Sequence, residues 1–289
     1  MISIIIASAD PNQLQQVTEN IEITIGVPFE IIAINNSDAS KGICEIYNSG
    51  IQQARYNILC FMHEDIIIKT NNWGPILKNI FDNNIDIGLL GVVGGSYKPF
   101  TPSTWEGLGI KNTFCNIIQS YKYSKKETYH DYRNPKNSLL ERVACVDGVW
   151  LATTSKVATE FKFDEDTFKG FHAYDIDYSI AVGSRYKVAV TYEIFINHLS
   201  EGKYSREWME DTLILHNKWK DYLPINVGAF TAAECVYMEK VTFKEFIKRL
   251  VALKFPSGIA YAVLKNKFYK KSRLYWKLKY YVFKTYFSG

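Results

Sequence analysis

The triplet His63-Glu64-Asp65 ends one apolar run, 58–62, and is followed at once by another, 66–68. Charged side chains are costly inside an apolar layer unless they are paired or hold a metal. The Glu-Asp pair offers hard oxygen ligands of the kind Mg²⁺ and Mn²⁺ take. The competing reading is a polar strand end that faces water. Further along, Asp175 and Asp177 stand two apart at the start of an expected helix, 171–182. The amide-rich N-terminus of such a helix stabilises carboxylates, and either acid could serve only as its cap. His198 closes a strand-like run, 186–196, with Ser200 as a local partner. Asn35, Asn36 and Asp38 close another run, 29–34, and Asn-Asn-Ser-Asp is also turn chemistry.

These residues need elements to carry them. Residues 3–9 read as an Ile-rich buried strand bounded by Asp10-Pro11, and 12–21 as a surface helix. A second strand, 29–34, precedes a helix at 42–54 with Ile43, Ile46, Tyr47, Ile51 and Ala54 on one face. A third strand, 57–62, a helix, 73–81, and a fourth strand, 87–93, complete the first half. Strands that alternate with helices and read as continuous apolar runs imply an α/β fold. Its sheet is expected to be mostly parallel and flanked by helices. Ligands of such sheets bind beyond the carboxyl ends of the strands, where Asp10, Asn35–Asp38 and His63–Asp65 all fall. The stretch 96–140 is less patterned and reads as a loop, a strand or hairpin near 113–121, and a polar segment. Residues 143–153 are strand-like around Asp147-Gly148, and 205–222 are amphipathic.

The first strand ends in Ser8-Ala9-Asp10-Pro11 rather than GxGxxG, which argues against a dinucleotide-binding dehydrogenase. No GxxxxGK[ST] occurs, which argues against a P-loop NTPase. The five cysteines show no zinc spacing and read as small core residues of a reducing compartment. No basic leader precedes the first strand, and no apolar run reaches the roughly 18 residues of a spanning helix. The net charge of +4 hides an asymmetry. Residues 241–289 hold 12 Lys and Arg and one acid, Glu245, whereas 1–240 hold 22 and 29. Such a basic, aromatic tail suits an anionic membrane surface. Self-association to a homo-oligomer is the competing reading, and no nucleic-acid motif accompanies the charge.

Asn48-Ser49-Gly50-Ile51-Gln52-Gln53-Ala54 running into Phe61-Met62-His63-Glu64-Asp65, and Gly170-Phe171-His172-Ala173-Tyr174-Asp175-Ile176-Asp177 running into His198, occur in one order over residues 2–222. In these pieces the chain resembles the GT-A glycosyltransferases of family 2, and more narrowly a bacterial branch with a streptomycin-biosynthesis-protein-like domain. The resemblance implies a Rossmann-like GT-A domain over 1–222. Its nucleotide-sugar half covers about 1–95, its acceptor half about 96–222, and a helical extension follows over 223–289.

By that resemblance Ala7, Ser8, Asp10, Asn35, Asn36 and Asp38 line the base and ribose of a nucleotide sugar, although the family commonly has an acid where Asn35 or Asn36 stands. Of that cluster Asp38 is the best partner for ribose hydroxyls, as an acceptor-only carboxylate. His63-Glu64-Asp65 matches the DxD motif with His in first place. Asp65 is then the metal ligand, His198 a further ligand, and His63 and Glu64 lie at the nucleotide. Asp175 matches the catalytic base, with Tyr174 in place of the family's Glu. Trp105, Asp147 and Tyr174 would position sugar and acceptor.

The implied reaction is inverting transfer from a nucleoside-diphosphate sugar to a saccharide or lipid-linked hydroxyl, with Mn²⁺ or Mg²⁺, in surface-glycan assembly. It places the protein in the cytoplasm, peripheral to the inner face of the membrane. The competing functions are a nucleotide- or sugar-binding protein without turnover and a metal-dependent nucleotidyltransferase.

Overall fold

In the computed structural model, which describes residues 1–122, 124–270 and 273–287, the first Ile-rich run is strand β1 (Ile2–Ser8). Successive strand side chains point to opposite faces. Ile5 joins an apolar cluster shared with helices α2 (Ile43–Gln53) and α5 (Tyr174–Gly183). Ile2, Ile4 and Ile6 join the cluster of α1 (Pro11–Thr24) and α3 (Trp73–Asn83). Strand β3 (Ile58–Met62) divides in the same way, with Leu59 and Phe61 on one side and Ile58, Cys60 and Met62 on the other. Burial on both faces explains why these runs are apolar throughout rather than alternating.

The central sheet has the order β10 (Leu140–Val143), β13 (Lys187–Thr191), β5 (Ile87–Gly91), β12 (Trp150–Thr154), β3, β1, β2 (Phe29–Asn35). β1 pairs parallel with β2 and β3, and β13 pairs parallel with β5. β12 runs antiparallel between β3 and β5, and β10 runs antiparallel to β13. The α/β plan is the expected one, but the sheet is mixed rather than mostly parallel, because an apolar run does not encode strand direction. The antiparallel strand matters for the site. It begins beside the end of β3, with Trp150 opposite Met62, so Asp147-Gly148 arrives at β3's carboxyl edge.

A second sheet has the order β11 (Cys145–Val146), β6 (Val93–Gly95), β8 (Thr113–Gln119), β14 (Ile196–His198), β4 (Ile66–Ile68), with β9 (Tyr129–Arg133) also paired to β8. The runs expected as single strands over 87–93 and 186–196 break in two, and each passes the chain from the first sheet to the second. The run 143–153 breaks around Asp147-Gly148 in the same way. Four of the five cysteines are buried and Cys235 is half-buried.

Strand β7 (Tyr97–Lys98) pairs with β15 (Ile225–Asn226) beside the C-terminal helices. The remaining helices are α4 (Ser155–Glu160), α6 (Arg206–Lys218), α7 (Ala232–Ala252), α8 (Ser257–Leu264), α9 (Lys267–Lys270) and α10 (Leu274–Phe287). Thr231 and Glu234 form a capping box that starts α7. Phe243, Phe246, Ile247 and Leu250 of α7, and Leu278 and Val282 of α10, belong to the same cluster as Ile5 of β1. Glu239, fully buried on α7, accepts hydrogen bonds from the amides of Phe100 and Thr101, from Thr101 Oγ1 and from the hydroxyls of Tyr97 and Tyr269. Glu239→Ala leaves those donors without an acceptor, which costs about 3 kcal/mol or more. The expected result is a lower thermal midpoint than any exposed Glu→Ala variant gives; an unchanged midpoint refutes it.

Candidate active site and metal centre

Beyond Met62 the chain leaves the sheet and bends at Glu64 and Asp65 before β4. His63 N donates to Val149 O at 3.2 Å, which holds the turn against β12. His63 and Asp65 face one way and Glu64 the other. β4 then pairs antiparallel with β14, His198 opposite Ile66, and Leu199 N donates to the carbonyl of Asp65. One ligand atom from each of His63, Asp65 and His198 thereby falls within 4.8 Å of the others. His63 Nδ1 and His198 Nε2 each lie 3.8 Å from Asp65 Oδ1. Ser200 Oγ donates to the other carboxylate oxygen.

The outer nitrogens fix the tautomers. Tyr174 Oη donates its one proton to Gly148 O at 3.0 Å. Its contact with His63 Nε2, also 3.0 Å, must then be donated by the imidazole. That leaves the lone pair on His63 Nδ1, the atom facing Asp65. His198 Nδ1 stands 3.3 Å from Gln119 Oε1, an acceptor, so the lone pair falls on Nε2, again facing Asp65. Burial pushes the His63 pKa down, against the opposing charge of Asp65. Two imidazole nitrogens and a carboxylate oxygen gathered at one point suit a divalent cation, and outer partners of this kind are what orient metal-binding histidines.

A carboxylate pair lies on the other side of Tyr174. Asp175, at the start of α5, accepts from Gly148 N at 3.0 Å and Ile176 N at 2.9 Å. Asp147 accepts from Val149 N and from Trp105 Nε1, both at 2.9 Å. Trp105 therefore holds Asp147 in place with its polar edge. Burial, then the charge of Asp147, push the Asp175 pKa up to about 7. A carboxylate at that value can take a proton near neutral pH. A Cβ at Gly148 would collide with the Tyr174 hydroxyl, so glycine is what lets Tyr174 link the two groups of residues.

On the opposite face Glu64 Oε1 accepts from the amides of Ala9 at 2.9 Å and Asp10 at 3.0 Å, tying the end of β3 to the end of β1. Its Oε2 is buried without a partner. Asp10 caps α1 through Asn12 N, and the Ser8 carbonyl accepts from Asn36 N. Ala7 is half-buried on the same strand end. Asn35, Asn36 and Asp38 each hydrogen-bond backbone of their own loop, at Ser37, Lys41 and Ser40, so this loop carries the turn chemistry as well. The geometry thus gathers Asp65, His198, His63, Tyr174, Asp175, Asp147 and Trp105 in one connected network. Ala7, Ser8, Asp10, Asn35, Asn36 and Asp38 form its neighbouring rim, joined to it through Glu64.

The family resemblance puts His63 at the nucleotide; in the structure it also stands with Asp65 and His198 in the group that could hold a metal ion. Sequence reasoning missed Gln119, Gly148 as a spacing residue, and Phe171, which is 53% exposed with its ring 5.4 Å from that of His63. The glycine after Asp147 and the place of Phe171 within the 170–177 motif were the signals for two of them. Two motif pieces prove to be packing. Asn48 holds residues Phe163 and Glu165 by its side chain, and Gly50 lets α2 approach Ile5. Asp177 is tied to Trp219 Nε1 and Lys218 Nζ, both at 2.7 Å, and fastens α6 to α5.

A fold with these strand ends and an acid at the start of α5 is the architecture of the GT-A transferases. The family model described as glycosyltransferase-like matches residues 3–218, and the chain belongs to that family. No curated protein matches it in sequence. Among solved structures it is similar to GalNAc-T7 with UDP, GalNAc and Mn²⁺, at 10% identity and a TM-score of 0.51 over 89% of this chain and 58% of that one. It is also similar to S. aureus TarS 1-349 in complex with UDP, at 9% identity and a TM-score of 0.50 over 99% of this chain and 88% of that one. The chain thus spans less than two thirds of the first and most of the second. At these identities the likeness is one of GT-A fold.

Proposed function

We propose that the chain is a metal-dependent, inverting glycosyltransferase that moves a sugar from a nucleoside diphosphate to a hydroxyl of a saccharide or lipid-linked acceptor in surface-glycan assembly. The observation that carries this reading is the convergence of His63, Asp65 and His198 with Asp147 and Asp175 through Tyr174. The UDP in both similar structures and the Mn²⁺ in one support it.

Residues 1–95 take the donor in this reading, and 96–222 the acceptor. The rim from Ala7 to Asp38 accepts base and ribose. His63, Asp65 and His198 would hold the divalent cation, a donor set of two imidazoles that suits Mn²⁺ better than Mg²⁺, and the cation would neutralise the charge of a diphosphate leaving group. Asp175 accepts the proton of the attacking hydroxyl as the bond to the sugar forms. Its backbone hydrogen bonds and Trp105's hold on Asp147 keep both carboxylates in fixed orientation. Attack from the side opposite the diphosphate inverts the anomeric centre.

The test is a panel of nucleotide sugars with and without Mn²⁺, scored for released nucleoside diphosphate. Metal-dependent diphosphate release supports the reading. Pyrophosphate release in a parallel assay with nucleoside triphosphates and a sugar 1-phosphate would mean a nucleotidyltransferase, and binding without release a sugar- or nucleotide-binding protein. Tyr174→Phe removes the acceptor that fixes the His63 tautomer but keeps the ring that packs on Tyr47 and Phe171. Its Mn²⁺ affinity is expected to fall by about 10–100-fold in calorimetry, the usual loss when an outer partner of a ligand goes. An unchanged affinity removes His63 from the ligand set.

A further inference from the structure

Helix α10 presents a face that no described residue covers. Trp276, Tyr280, Phe283 and Phe287 are 70%, 67%, 52% and 62% exposed. Residues spaced i, i+4, i+7 and i+11 fall in one stripe along a helix. The opposite side is committed to the fold: Leu278 and Val282 are buried in the main cluster, and Tyr286 Oη donates to Phe255 O. On a helix of about 3.6 residues per turn, Lys279 flanks the stripe on one side and Lys277 and Lys284 on the other. All three lysines are exposed, and Lys279 Nζ lies 5.0 Å from the Trp276 ring.

A second copy pairing through the same helix would bring its flanking lysines close to these ones. At about 150–250 Å² per aromatic side chain and the exposures above, the four rings offer roughly 400–600 Å², below the about 800 Å² per partner of a stable interface. An anionic bilayer answers both features. Aromatic rings settle at the headgroup boundary while lysine stems carry their ammonium groups up to lipid phosphates. The wider charge agrees, with 12 Lys and Arg and one acid in residues 241–289. No helix among the described residues is long and apolar enough to cross a membrane.

We propose that α10 is a membrane-surface element that lies flat on an anionic lipid layer, with Trp276, Tyr280, Phe283 and Phe287 inserted at the headgroup level and Lys277, Lys279 and Lys284 on lipid phosphates. It goes beyond the transferase reading and does not depend on it, since lipid binding is measured without turnover. Deleting the tail is no test, because α7 and α10 share the core of the body. Point variants on the exposed face leave that core intact.

The experiment is flotation of the full chain with vesicles of phosphatidylcholine, with and without phosphatidylglycerol. Wild type floats with the anionic vesicles, less so as salt is raised. Trp276→Ser/Tyr280→Ser/Phe283→Ser loses at least about tenfold in partition coefficient, since each buried methylene-sized group is worth about fourfold. Lys277→Gln/Lys279→Gln/Lys284→Gln loses about a hundredfold, each cation near such a surface being worth about fivefold. Both variants keep the wild-type melting midpoint. Failure of the wild type to float with anionic vesicles overturns the proposal, as does a variant of either kind that floats like wild type. A wild-type dimer in light scattering that the aromatic variant breaks, with no flotation, assigns the face to a second copy instead.

Discussion

Asp65→Ala is expected, on the proposed reading, to lower nucleoside-diphosphate release by at least about a thousandfold, because the cation that Asp65 would hold supplies several kcal/mol of charge stabilisation to a departing diphosphate. Asp65 is the anionic member of the trio and stands 3.8 Å from a ligand nitrogen of each histidine. Without it two neutral imidazoles remain, and neutral nitrogens alone hold Mg²⁺ or Mn²⁺ weakly. Calorimetry with Mn²⁺ should show no binding heat, and added Mn²⁺ should not restore turnover. The backbone at this position is held independently by Leu199 N on the Asp65 carbonyl, so the fold survives the change. A variant that still responds to Mn²⁺ would place the cation elsewhere.

The second large effect belongs to Asp175. Asp175→Asn cannot take a proton and should lose about 10²–10⁴-fold in kcat, the range general-base groups supply. Binding of UDP and Mn²⁺ should stay at wild-type strength, because Asp175 is not among the ligand atoms. With its pKa raised to about 7 by burial and by Asp147, the wild type should show an acidic limb in kcat/KM near that pH. Asp147→Asn removes the like charge and should move the limb to lower pH.

Stability gives a check free of turnover. A carboxyl whose folded pKa lies above its ordinary 3.8 favours the native state in its protonated form. That stabilisation is complete below about 4 and is lost as pH rises through about 7. The melting midpoint of Asp175→Asn relative to wild type should therefore climb over the same interval and level off beyond it. A difference that does not change with pH means Asp175 titrates normally. An active Asp175→Asn enzyme means the base lies elsewhere.

The strand ends were legible because burial on both faces forces runs such as 2–8 and 58–62 to be apolar throughout, so the first charge after each run marks an edge. His63 and Asp65 stand two apart, but the chain bends between the two strands here, so their convergence with His198 comes from the fold. Trp105 and Asp147 could be nominated but not joined: they lie 42 positions apart, and only the hydrogen bond between them shows that one orients the other. Gln119 carried no local signal at all. It sits in a stretch without period, and its role comes from β14 lying beside β8.

The chain by itself determined the α/β alternation, the polar ends of three strands, the acid at the start of α5 and the basic, aromatic character of the tail. All of these depend on the order of side chains within a few turns or strand residues. Tertiary structure alone decided that the sheet is mixed, that Asp147 comes back beside β3, that His63 and His198 turn their lone pairs on Asp65, and that α10 keeps its aromatic side uncovered. Those outcomes follow from strand direction and from contacts between distant segments, and an apolar run reads the same whichever way its strand points.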